Sequence, residues 1–353
     1  MTMKADVVVA GLGPGGAIAA SELALRGFRV VGLDPLRSYR KACGDAVVAR
    51  EEYESVLRKS DSIRWKISRV RINVNGEEVR TIKFNRPVWY IIDKGRLVNY
   101  LREIVEAEGG QIIHKTFIKN IIKSDLVIDA RGPYAHPPSK HILAYRYIVK
   151  TEDWDTDTVL LNFLPDKSGL FWIFPSHHGE NYANIGGGFK NINIFNTKNF
   201  ILKYIKLQFK EFHIISESGA PIAVYSEVEP VNGNVLRVGE AGGLINSAGG
   251  EGIRMALLSG MAAGRALEFE DPAYYYRRAV RRLTREARLS RILLRVVEAS
   301  PGDLGSSLLR GLPEFFWRSF LSGELSIGVV LSTVLSSPRI ASIVARSLSS
   351  SLF

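Results

Sequence analysis

The segment ADVVVAGLGPGGAIAASELALRGFRVVGLD, residues 5–34, has the pattern of a strand, a glycine-rich turn, a helix and a second strand. Its first run, Ala5 to Ala10, is short, apolar and β-branched, which is typical of a strand buried in a parallel sheet. Apolar residues then recur at helical spacing, and a second apolar run, Phe28 to Leu33, stops at Asp34. The segment therefore predicts one βαβ unit with its crossover helix.

The glycine-rich turn of this unit matches a dinucleotide-binding fingerprint in the structural context that the fingerprint requires. Gly11 permits the tight turn, Gly13 lets a pyrophosphate approach the backbone, and Gly16 allows the helix to pack closely on the strand. The helix N-terminus would present unpaired N–H groups to the phosphates, and an acid about 20 residues further on would bind the adenosine ribose. The predicted contacts are Gly11, Gly13, Pro14, Gly15, Gly16, Asp34 and Pro35.

A second glycine-rich segment indicates which dinucleotide is bound. Residues 235–243, VLRVGEAGG, again combine a strand, a turn and an acid, and residues 249–252, GGEG, open another helix. A nicotinamide dehydrogenase does not need this segment, whereas a flavin lying lengthwise does, because Glu240 can hold a ribityl hydroxyl. The following helix can direct its positive end at the flavin ring, which would favour the anionic reduced flavin. The segment predicts FAD, with contacts from Gly239, Glu240, Gly249, Gly250, Gly252 and Ile253.

The composition is that of a globular protein. The 353 residues are 46% hydrophobic and 24% charged, which excludes disordered and fibrous classes. A net charge of +11 indicates an anionic partner such as a nucleic acid, a membrane face or a phosphorylated ligand. A single cysteine, Cys43, excludes an internal disulfide. Because the structured pattern begins by Asp6 and the longest apolar stretch, Leu325 to Ser337, is too short to span a bilayer, we expect a cytoplasmic protein without a signal peptide, peripheral to a membrane.

Four stretches together resemble the para-hydroxybenzoate-hydroxylase type of FAD enzyme and, more narrowly, the geranylgeranyl reductases, especially the archaeal ones that act on digeranylgeranylglycerophospholipids. They are GLGPGG at 11–16, KACGDAV at 41–47, GLFWIFP at 169–175 and the segment from Gly239 to Gly252. The resemblance covers about residues 5–270.

The resemblance implies an α/β fold with three parts. These are a Rossmann-like FAD-binding domain of the glutathione-reductase and para-hydroxybenzoate-hydroxylase type, an antiparallel-sheet substrate domain and a C-terminal helical region. We expect the FAD-binding domain to comprise residues 1–60, 93–135 and 219–270, the substrate domain residues 61–92 and 136–218, and the helical region residues 271–353.

The same resemblance assigns roles to two of the stretches. In the family, the Cys-Gly-Asp loop and the Trp-x-Phe-Pro strand face the flavin ring and the isoprenoid channel. The implied catalytic candidates are Cys43, Gly44 and Asp45, and the implied substrate contacts are Trp172, Phe174 and Pro175. Further implied FAD contacts are Lys41, Ala42, Cys43, Gly44, Arg96 and Gly132.

Each of these side chains also has a purely structural alternative. Cys43 is otherwise an inert buried residue, although Lys41 nearby could lower the pKa of its thiol. Trp172 and Phe174 share one face of a strand and are otherwise core residues. Arg96 is otherwise a solvated arginine at the start of a helix.

The chain also departs from the family pattern. Glu240 stands where the family usually has Asp, and Leu170 stands where it usually has Tyr. Arg131 interrupts an Asp-Gly motif that ends a strand near the cofactor, and the region from Lys115 to Ser124 is short for a hairpin that relatives carry.

The C-terminal region carries a basic amphipathic pattern. Between Ala273 and Ala299, eight arginines form a stripe on a predicted helix, opposite apolar residues. Downstream residues suit the boundary between lipid headgroups and acyl chains: Leu312, Phe315, Phe316, Trp317, Phe320 and Leu321. We therefore expect this region to contact an anionic membrane surface, and no nucleic acid. The alternative is that these residues pack on the flavin domain and close the channel.

The whole pattern predicts an FAD-dependent reductase that saturates carbon–carbon double bonds of geranylgeranyl chains, on archaeal-type membrane lipids or their precursors. Protonation of the alkene is expected to lead, with Cys43 positioning or donating the proton in an apolar channel that excludes water. An FAD-dependent monooxygenase or epoxidase, and a non-catalytic flavin- or lipid-binding protein, remain open alternatives. Electrons would come from an external donor, NADPH or ferredoxin. No metal site is predicted, because no array of Cys, His or carboxylate residues has the spacing of metal ligands. The neighbouring His177 and His178 are expected on opposite faces of a strand.

Overall fold

The computed structural model describes residues 5–39, 41–114, 124, 126–190, 192–300 and 302–350, with side chains up to Arg346. The region from Lys115 to Ser124, which is short relative to the family, lies almost wholly outside the described residues. The strands are β1 Val7–Ala10, β2 Val30–Leu33, β3 Ala46–Val48, β4 Ile63–Ile67, β5 Arg69–Val74, β6 Glu77–Lys83, β7 Trp89–Ile92, β8 Gln111–Ile113, β9 Leu126–Asp129, β10 Ile142–Lys150, β11 Thr158–Leu164, β12 Gly169–Pro175, β13 Tyr182–Phe189, β14 His213–Ile222, β15 Val231–Asn232 and β16 Val235–Arg237. The helices are α1 Pro14–Ala24, α2 Glu51–Lys59, α3 Lys94–Ala107, α4 Ile194–Gln208, α5 Ile253–Gly264, α6 Pro272–Ala279, α7 Arg281–Glu298, α8 Asp303–Gly311, α9 Glu314–Leu321, α10 Ile327–Leu335 and α11 Pro338–Ser350.

The first sheet has six strands in the order β15-β16-β9-β1-β2-β8, and all but β15 run parallel. β1, α1 and β2 form the predicted βαβ unit. A side chain at Gly16 would place its Cβ only 1.8 Å from the carbonyl oxygen of Gly11, so glycine is required for α1 to follow β1 this closely. Gly11 itself has φ of +88°, a conformation that glycine adopts at little cost.

The second sheet has seven strands in the order β14-β10-β13-β12-β11-β5-β6, antiparallel except for the β11–β5 pair. The predicted hairpin joins β5 to β6, and Asn75 and Gly76 have φ of +53° and +87°, as a type I′ turn requires. A third sheet, β3-β7-β4, is antiparallel. The predicted α/β class, with one largely parallel and one largely antiparallel sheet, is confirmed.

The predicted domain segments contribute to the sheets as follows. Every strand of the six-stranded sheet comes from residues 1–60, 93–135 and 219–270. The seven-stranded sheet comes from residues 61–92 and 136–218, with the end of β14 reaching Ile222. The three-stranded sheet combines β3 from the first set with β4 and β7 from the second, so the two sets are joined by strand pairing.

The C-terminal region is helical from α6 to α11, but two sequence-based expectations for it are wrong. The single helix expected between Ala273 and Ala299 is two helices, because Val280 leaves helical geometry between α6 and α7. The apolar residues from Leu312 to Leu321, on α9 and just before it, do not face outward: only Phe315 of this set is substantially exposed, at 43%. The other members of that set are buried: Leu312, Phe316, Trp317, Phe320 and Leu321.

These buried side chains cover one face of the seven-stranded sheet. They belong to a core that includes Val70 and Ile72 of β5 and Phe163 of β11, and the indole N–H of Trp89 donates to the carbonyl of Leu321 at 2.7 Å. Among the described residues no single helix has the length and apolar character to cross a membrane. α10 and the first part of α11 satisfy both criteria only as a pair, and this pair is bent by 114°.

Candidate active site

A cavity of about 1080 Å³ extends from the glycine-rich turns of the six-stranded sheet to the C-terminal helices. Most of the residues predicted from sequence line it: Gly11, Gly13, Pro14, Gly15, Asp34, Pro35, Lys41, Ala42, Cys43, Gly44, Asp45, Gly132, Trp172, Phe174, Gly239, Glu240, Gly249, Gly250, Gly252 and Ile253. Three predicted residues do not line it: Gly16, which packs α1 on β1, Arg96 and Pro175.

The N-terminus of α1 has the features of an anion cradle. Gly13 is its N-cap residue and has no side chain with which to cap the first N–H groups. A Cβ added at Gly13 would come no nearer to protein atoms than 3.1 Å, at the ring of Tyr39, and Gly13 has an ordinary φ of −71°. Glycine at this position therefore keeps space open in the cavity, as a pyrophosphate bound at the helix N-terminus would require.

Asp34 lies at the end of β2 and is held in place by several donors. One carboxylate oxygen accepts the backbone N–H of Leu12 at 2.7 Å, and the other accepts that of Leu36 at 2.8 Å. The guanidinium of Arg102 lies 3.2 Å from the same carboxylate, and it also donates to the carbonyl of Leu12. The carboxylate is thereby presented at the edge of the cavity where an adenosine ribose would bind.

Arg102, rather than Arg96, is the arginine of α3 that reaches this part of the site. The side chain of Arg96 is 55% exposed and pairs with Asp61 at 2.5 Å. Arg96 is therefore the solvated arginine at a helix start that the sequence left open as the alternative to an FAD contact. Arg102 is 6% exposed. The signal that could have found it is its spacing: it falls on the apolar stripe of α3 between Val98 and Val105, where a charge must have a buried partner.

Glu240 is held by Lys41. The carboxylate accepts from the Lys41 ammonium at 2.6 Å and from the backbone N–H of Ala223 at 2.6 Å. Burial opposes the charge on Lys41, but the attraction of Glu240 outweighs it and the pKa of Lys41 is raised. Glu240 therefore lies in the cavity beside Gly132 as a fixed acceptor. Lys41 does not activate the thiol of Cys43, contrary to the expectation from sequence.

The amine that contacts Cys43 is Lys94, the first residue of α3. Its Nζ lies 2.7 Å from Sγ, and the backbone N–H of Asp45 donates to Sγ at 3.1 Å. Burial raises the pKa of the Cys43 thiol, and the attraction of Lys94 only partly offsets this rise. At neutral pH the thiol keeps its proton, 3.4 Å from an oxygen of Asp45.

Asp45 is the centre of a buried polar cluster. It is 1% exposed, and its carboxylate lies 3.0 Å from Nζ of Lys94, 2.5 Å from the Arg146 guanidinium, 3.3 Å from Nδ1 of His177 and 3.2 Å from Nδ2 of Asn184. Burial alone would raise the pKa of Asp45, but Lys94, His177 and Arg146 together hold it far below its usual range. The aspartate is thus an anion that fixes the Cys-Gly-Asp loop.

The same cluster connects the loop to β12. Asn184 on β13 accepts from the Trp172 indole at 3.1 Å and donates to the Cys43 carbonyl at 2.9 Å. Phe174 packs on Gly44 so closely that a Cβ there would lie 2.5 Å from its ring. Pro175 follows Phe174 directly on β12, so it lies on the other face of the strand and does not line the cavity.

The sequence predicts that His177 and His178 lie on a strand, and the structure shows that they do not. They follow β12 in a turn, and their rings contact each other at 4.3 Å. His177 reaches Asp45 at 3.3 Å, a place beside the Cys-Gly-Asp loop that its position in the sequence does not indicate.

Beyond Trp172 and Phe174, the cavity becomes an apolar chamber between the seven-stranded sheet and the C-terminal helices. Its walls include Leu289 of α7, Leu308 of α8, Phe316 of α9, Val334 of α10 and Ile340 of α11. The arrangement therefore provides a dinucleotide cradle at one end, an apolar chamber at the other, and a buried thiol with a lysine between them. An uncapped helix N-terminus, an open glycine position and a fixed acid are the features that FAD requires, so the residues fit this cofactor.

Curated proteins resemble the chain over most of its length. No protein-family model matches it. It is 26% identical over 309 residues to digeranylgeranylglycerophospholipid reductase 1 of Methanosphaera stadtmanae, covering 74% of each chain. It is 26% identical over 321 residues to the enzyme of the same name from Methanopyrus kandleri, covering 76% of this chain and 83% of that one. It is also 27% identical over 327 residues to menaquinone reductase of Mycobacterium tuberculosis, covering 76% of this chain and 78% of that one.

Solved structures share the fold. A geranylgeranyl bacteriochlorophyll reductase-like protein from Thermoplasma acidophilum matches with a TM-score of 0.77 and 20% identity, covering 98% of this chain and 99% of that one. A flavin-dependent brominase matches with a TM-score of 0.69 and 14% identity, covering 91% and 93%. At these identities the structures establish the fold, which is that of FAD-dependent oxidoreductases, and the curated relatives are named as reductases. The chain is therefore an enzyme with the fold of FAD-dependent oxidoreductases, and about three quarters of its length is similar to curated digeranylgeranylglycerophospholipid reductases.

Proposed function

We propose that the enzyme binds FAD and saturates carbon–carbon double bonds of geranylgeranyl chains on an archaeal-type membrane lipid or lipid precursor. The observation that carries the proposal is the continuity of one cavity, from the dinucleotide cradle at Gly13, past Cys43 and Trp172, into the apolar chamber. A chamber of this composition suits a long hydrocarbon chain. The names of the curated relatives support the same substrate class.

Reduction of an alkene requires a hydride at one carbon and a proton at the other. Bound FAD in its reduced form supplies the hydride. Cys43 is suited to supply the proton, because burial keeps its thiol protonated. When the proton leaves, the ammonium of Lys94, 2.7 Å from Sγ, stabilises the thiolate by a charge-assisted contact.

The other groups of the cluster hold this donor in place. Asp45 orients Lys94 and the loop, and Asn184 connects the loop to Trp172. The apolar walls exclude water, which would otherwise compete for the developing positive charge on the alkene. Two electrons per double bond come from a donor outside the chain, either NADPH or ferredoxin.

The test is anaerobic oxidation of the reduced holoenzyme by a geranylgeranyl lipid. We expect flavin absorbance to return on mixing, and the lipid to gain two hydrogens per double bond by mass spectrometry. A saturated lipid of the same headgroup is the control and should leave the flavin reduced. A prenylated quinone in a parallel reaction tests the substrate suggested by the menaquinone reductase relative.

Three results would contradict the proposal. Purified protein that neither contains FAD nor can be reconstituted with it would contradict the proposed cofactor. Bound flavin that no alkene reoxidises would favour a flavin- or lipid-binding protein. Incorporation of an oxygen atom into the lipid in air, with no anaerobic reaction, would favour a monooxygenase or epoxidase.

A further inference from the structure

Helix α10 exposes a row of large apolar side chains. Ile327, Leu331 and Leu335 lie four residues apart on one face of the helix and are 62%, 56% and 83% exposed. The sequence of α10, IGVVLSTVL, contains no charged residue. A helix on the surface of a globular domain normally turns polar or charged residues outward. The exposed face of α10 instead has the composition of a surface that meets apolar material.

The adjoining side of α10 forms part of the wall of the cavity. Val330 and Val334 line the apolar chamber from this side. Leu331 of α10 and Ile292 of α7 also line the cavity, yet they are 56% and 50% exposed. The chamber therefore opens to the outside beside the exposed apolar row of α10.

The exposed charges of α7 beside this opening are positive, and Glu298, which also lines the cavity, is mostly buried and paired with Lys190 at 2.9 Å. Arg288 and Arg295 flank Ile292 on the exposed face of α7, four and three residues away. α11, which packs against α7, contributes two further arginines, and the sequence after Glu324 contains no Asp or Glu. An apolar row beside a basic rim is complementary to a layer of acyl chains beneath anionic headgroups.

We propose that α10 lies in the surface of an anionic lipid bilayer, with Ile327 and Leu335 among the acyl chains and Arg288 and Arg295 against the headgroups. The inference rests on the proposed function, which requires a lipid chain to pass between a bilayer and the cavity. α10 has nine residues and a length of about 14 Å, less than half of a hydrocarbon core of about 30 Å. It therefore lies along the surface, and the membrane contact is on α10 and α7 rather than on the buried α9.

The test is co-sedimentation of the full-length protein with vesicles of phosphatidylcholine alone or mixed with phosphatidylglycerol, without substrate. We expect binding to the mixed vesicles at low salt, weaker binding to neutral vesicles, and loss of the difference as salt screens the charges. The double variant Ile327→Asp with Leu335→Asp should bind at least about tenfold more weakly, because each leucine-sized side chain loses its apolar burial. Arg288→Gln with Arg295→Gln should weaken binding to mixed vesicles about tenfold and leave neutral vesicles unaffected.

Leu207→Asp is the matched control. Leu207 is 75% exposed on α4, away from the cavity, and its replacement should leave vesicle binding at the wild-type level. Circular dichroism verifies that the variants are folded. Equal binding of the wild type and the α10 variant, equal binding to the two vesicle types, or no binding at low salt would overturn the proposal.

Two further outcomes separate this inference from its alternatives. A wild-type dimer that the α10 variant converts to monomers, with no vesicle binding, would assign the face to a second copy of the chain and overturn the bilayer proposal. Because binding is measured without turnover, failure of alkene reduction leaves the vesicle result interpretable. Loss of vesicle binding with intact reduction of a short soluble prenyl substrate would confirm that α10 acts in access to the bilayer rather than in chemistry.

Discussion

Asp45→Asn should destabilise the protein by about 3–5 kcal/mol at neutral pH, the cost of removing one partner from a buried charge cluster. Asp45 is 1% exposed, and its carboxylate faces Lys94, Arg146 and His177 within 3.3 Å. Asparagine preserves the shape and tolerates the φ of +60° at this position. The substitution therefore removes only the charge and leaves a buried cation, Lys94, and a partly buried one, Arg146, without their counter-ion.

The effect should depend on pH in a defined direction. The pKa of Asp45 in the folded protein lies far below its usual range, whereas an unfolded aspartate titrates near pH 3.9. The stability that the carboxylate contributes is complete above that value and is lost as the pH falls towards the folded pKa. Below about pH 3.9, the difference between wild type and variant should shrink by roughly 1.4 kcal/mol per pH unit.

Urea unfolding followed by circular dichroism and tryptophan fluorescence measures both effects. Asp61→Asn is the matched control, because Asp61 also has positive φ and pairs with Arg96, but its side chain is 74% exposed. The control should cost less than about 1 kcal/mol. A loss at Asp45 no larger than at Asp61, or a difference that stays constant from pH 7 to pH 3, would refute the assignment of Asp45 as a buried anion.

Three other predictions concern the cofactor and the chemistry. Gly13→Val should give folded but colourless protein, since its Cβ enters the cavity, whereas Gly16→Ala should not fold, since its Cβ would lie 1.8 Å from a backbone oxygen. Flavin absorbance and circular dichroism distinguish the two outcomes. A yellow Gly13→Val protein would contradict the assignment of the α1 N-terminus as the cofactor cradle. Cys43→Ala should keep the flavin spectrum and slow alkene-dependent reoxidation about a hundredfold or more; a loss below about threefold would return the thiol to a structural role. Arg102→Ala should weaken FAD binding by releasing Asp34, while Arg96→Ala should not. Titration of each apoprotein with FAD measures the two affinities. Equal affinities would contradict the assignment of Arg102, rather than Arg96, to the FAD site.

Much of the fold follows from local sequence pattern. The βαβ unit is predictable because alternating runs of apolar residues and glycine have few local conformations available. Gly16 is required by a backbone contact with Gly11 in the same short segment, and Gly11 has a positive φ that favours glycine. The hairpin at Asn75 and Gly76 is predictable for the same reason, since both residues tolerate positive φ. The predicted contact surface on α9 was wrong, because an amphipathic pattern indicates that one face is apolar and does not indicate what covers it.

The sequence by itself determined the glycine-rich turns, the position of Asp34 and the Cys-Gly-Asp and Trp-x-Phe stretches, since each depends on residues close together in the chain. Only the tertiary structure decided which polar groups meet at Cys43. Lys94, Arg146 and Asn184 come from a helix and two strands far apart in sequence, and the pattern around each is that of an ordinary helix or strand. Burial then reverses the expected direction of the thiol pKa, because desolvation of the thiolate outweighs the attraction of the nearest ammonium. Such a balance depends on distances and solvent exposure that exist only once the chain is folded.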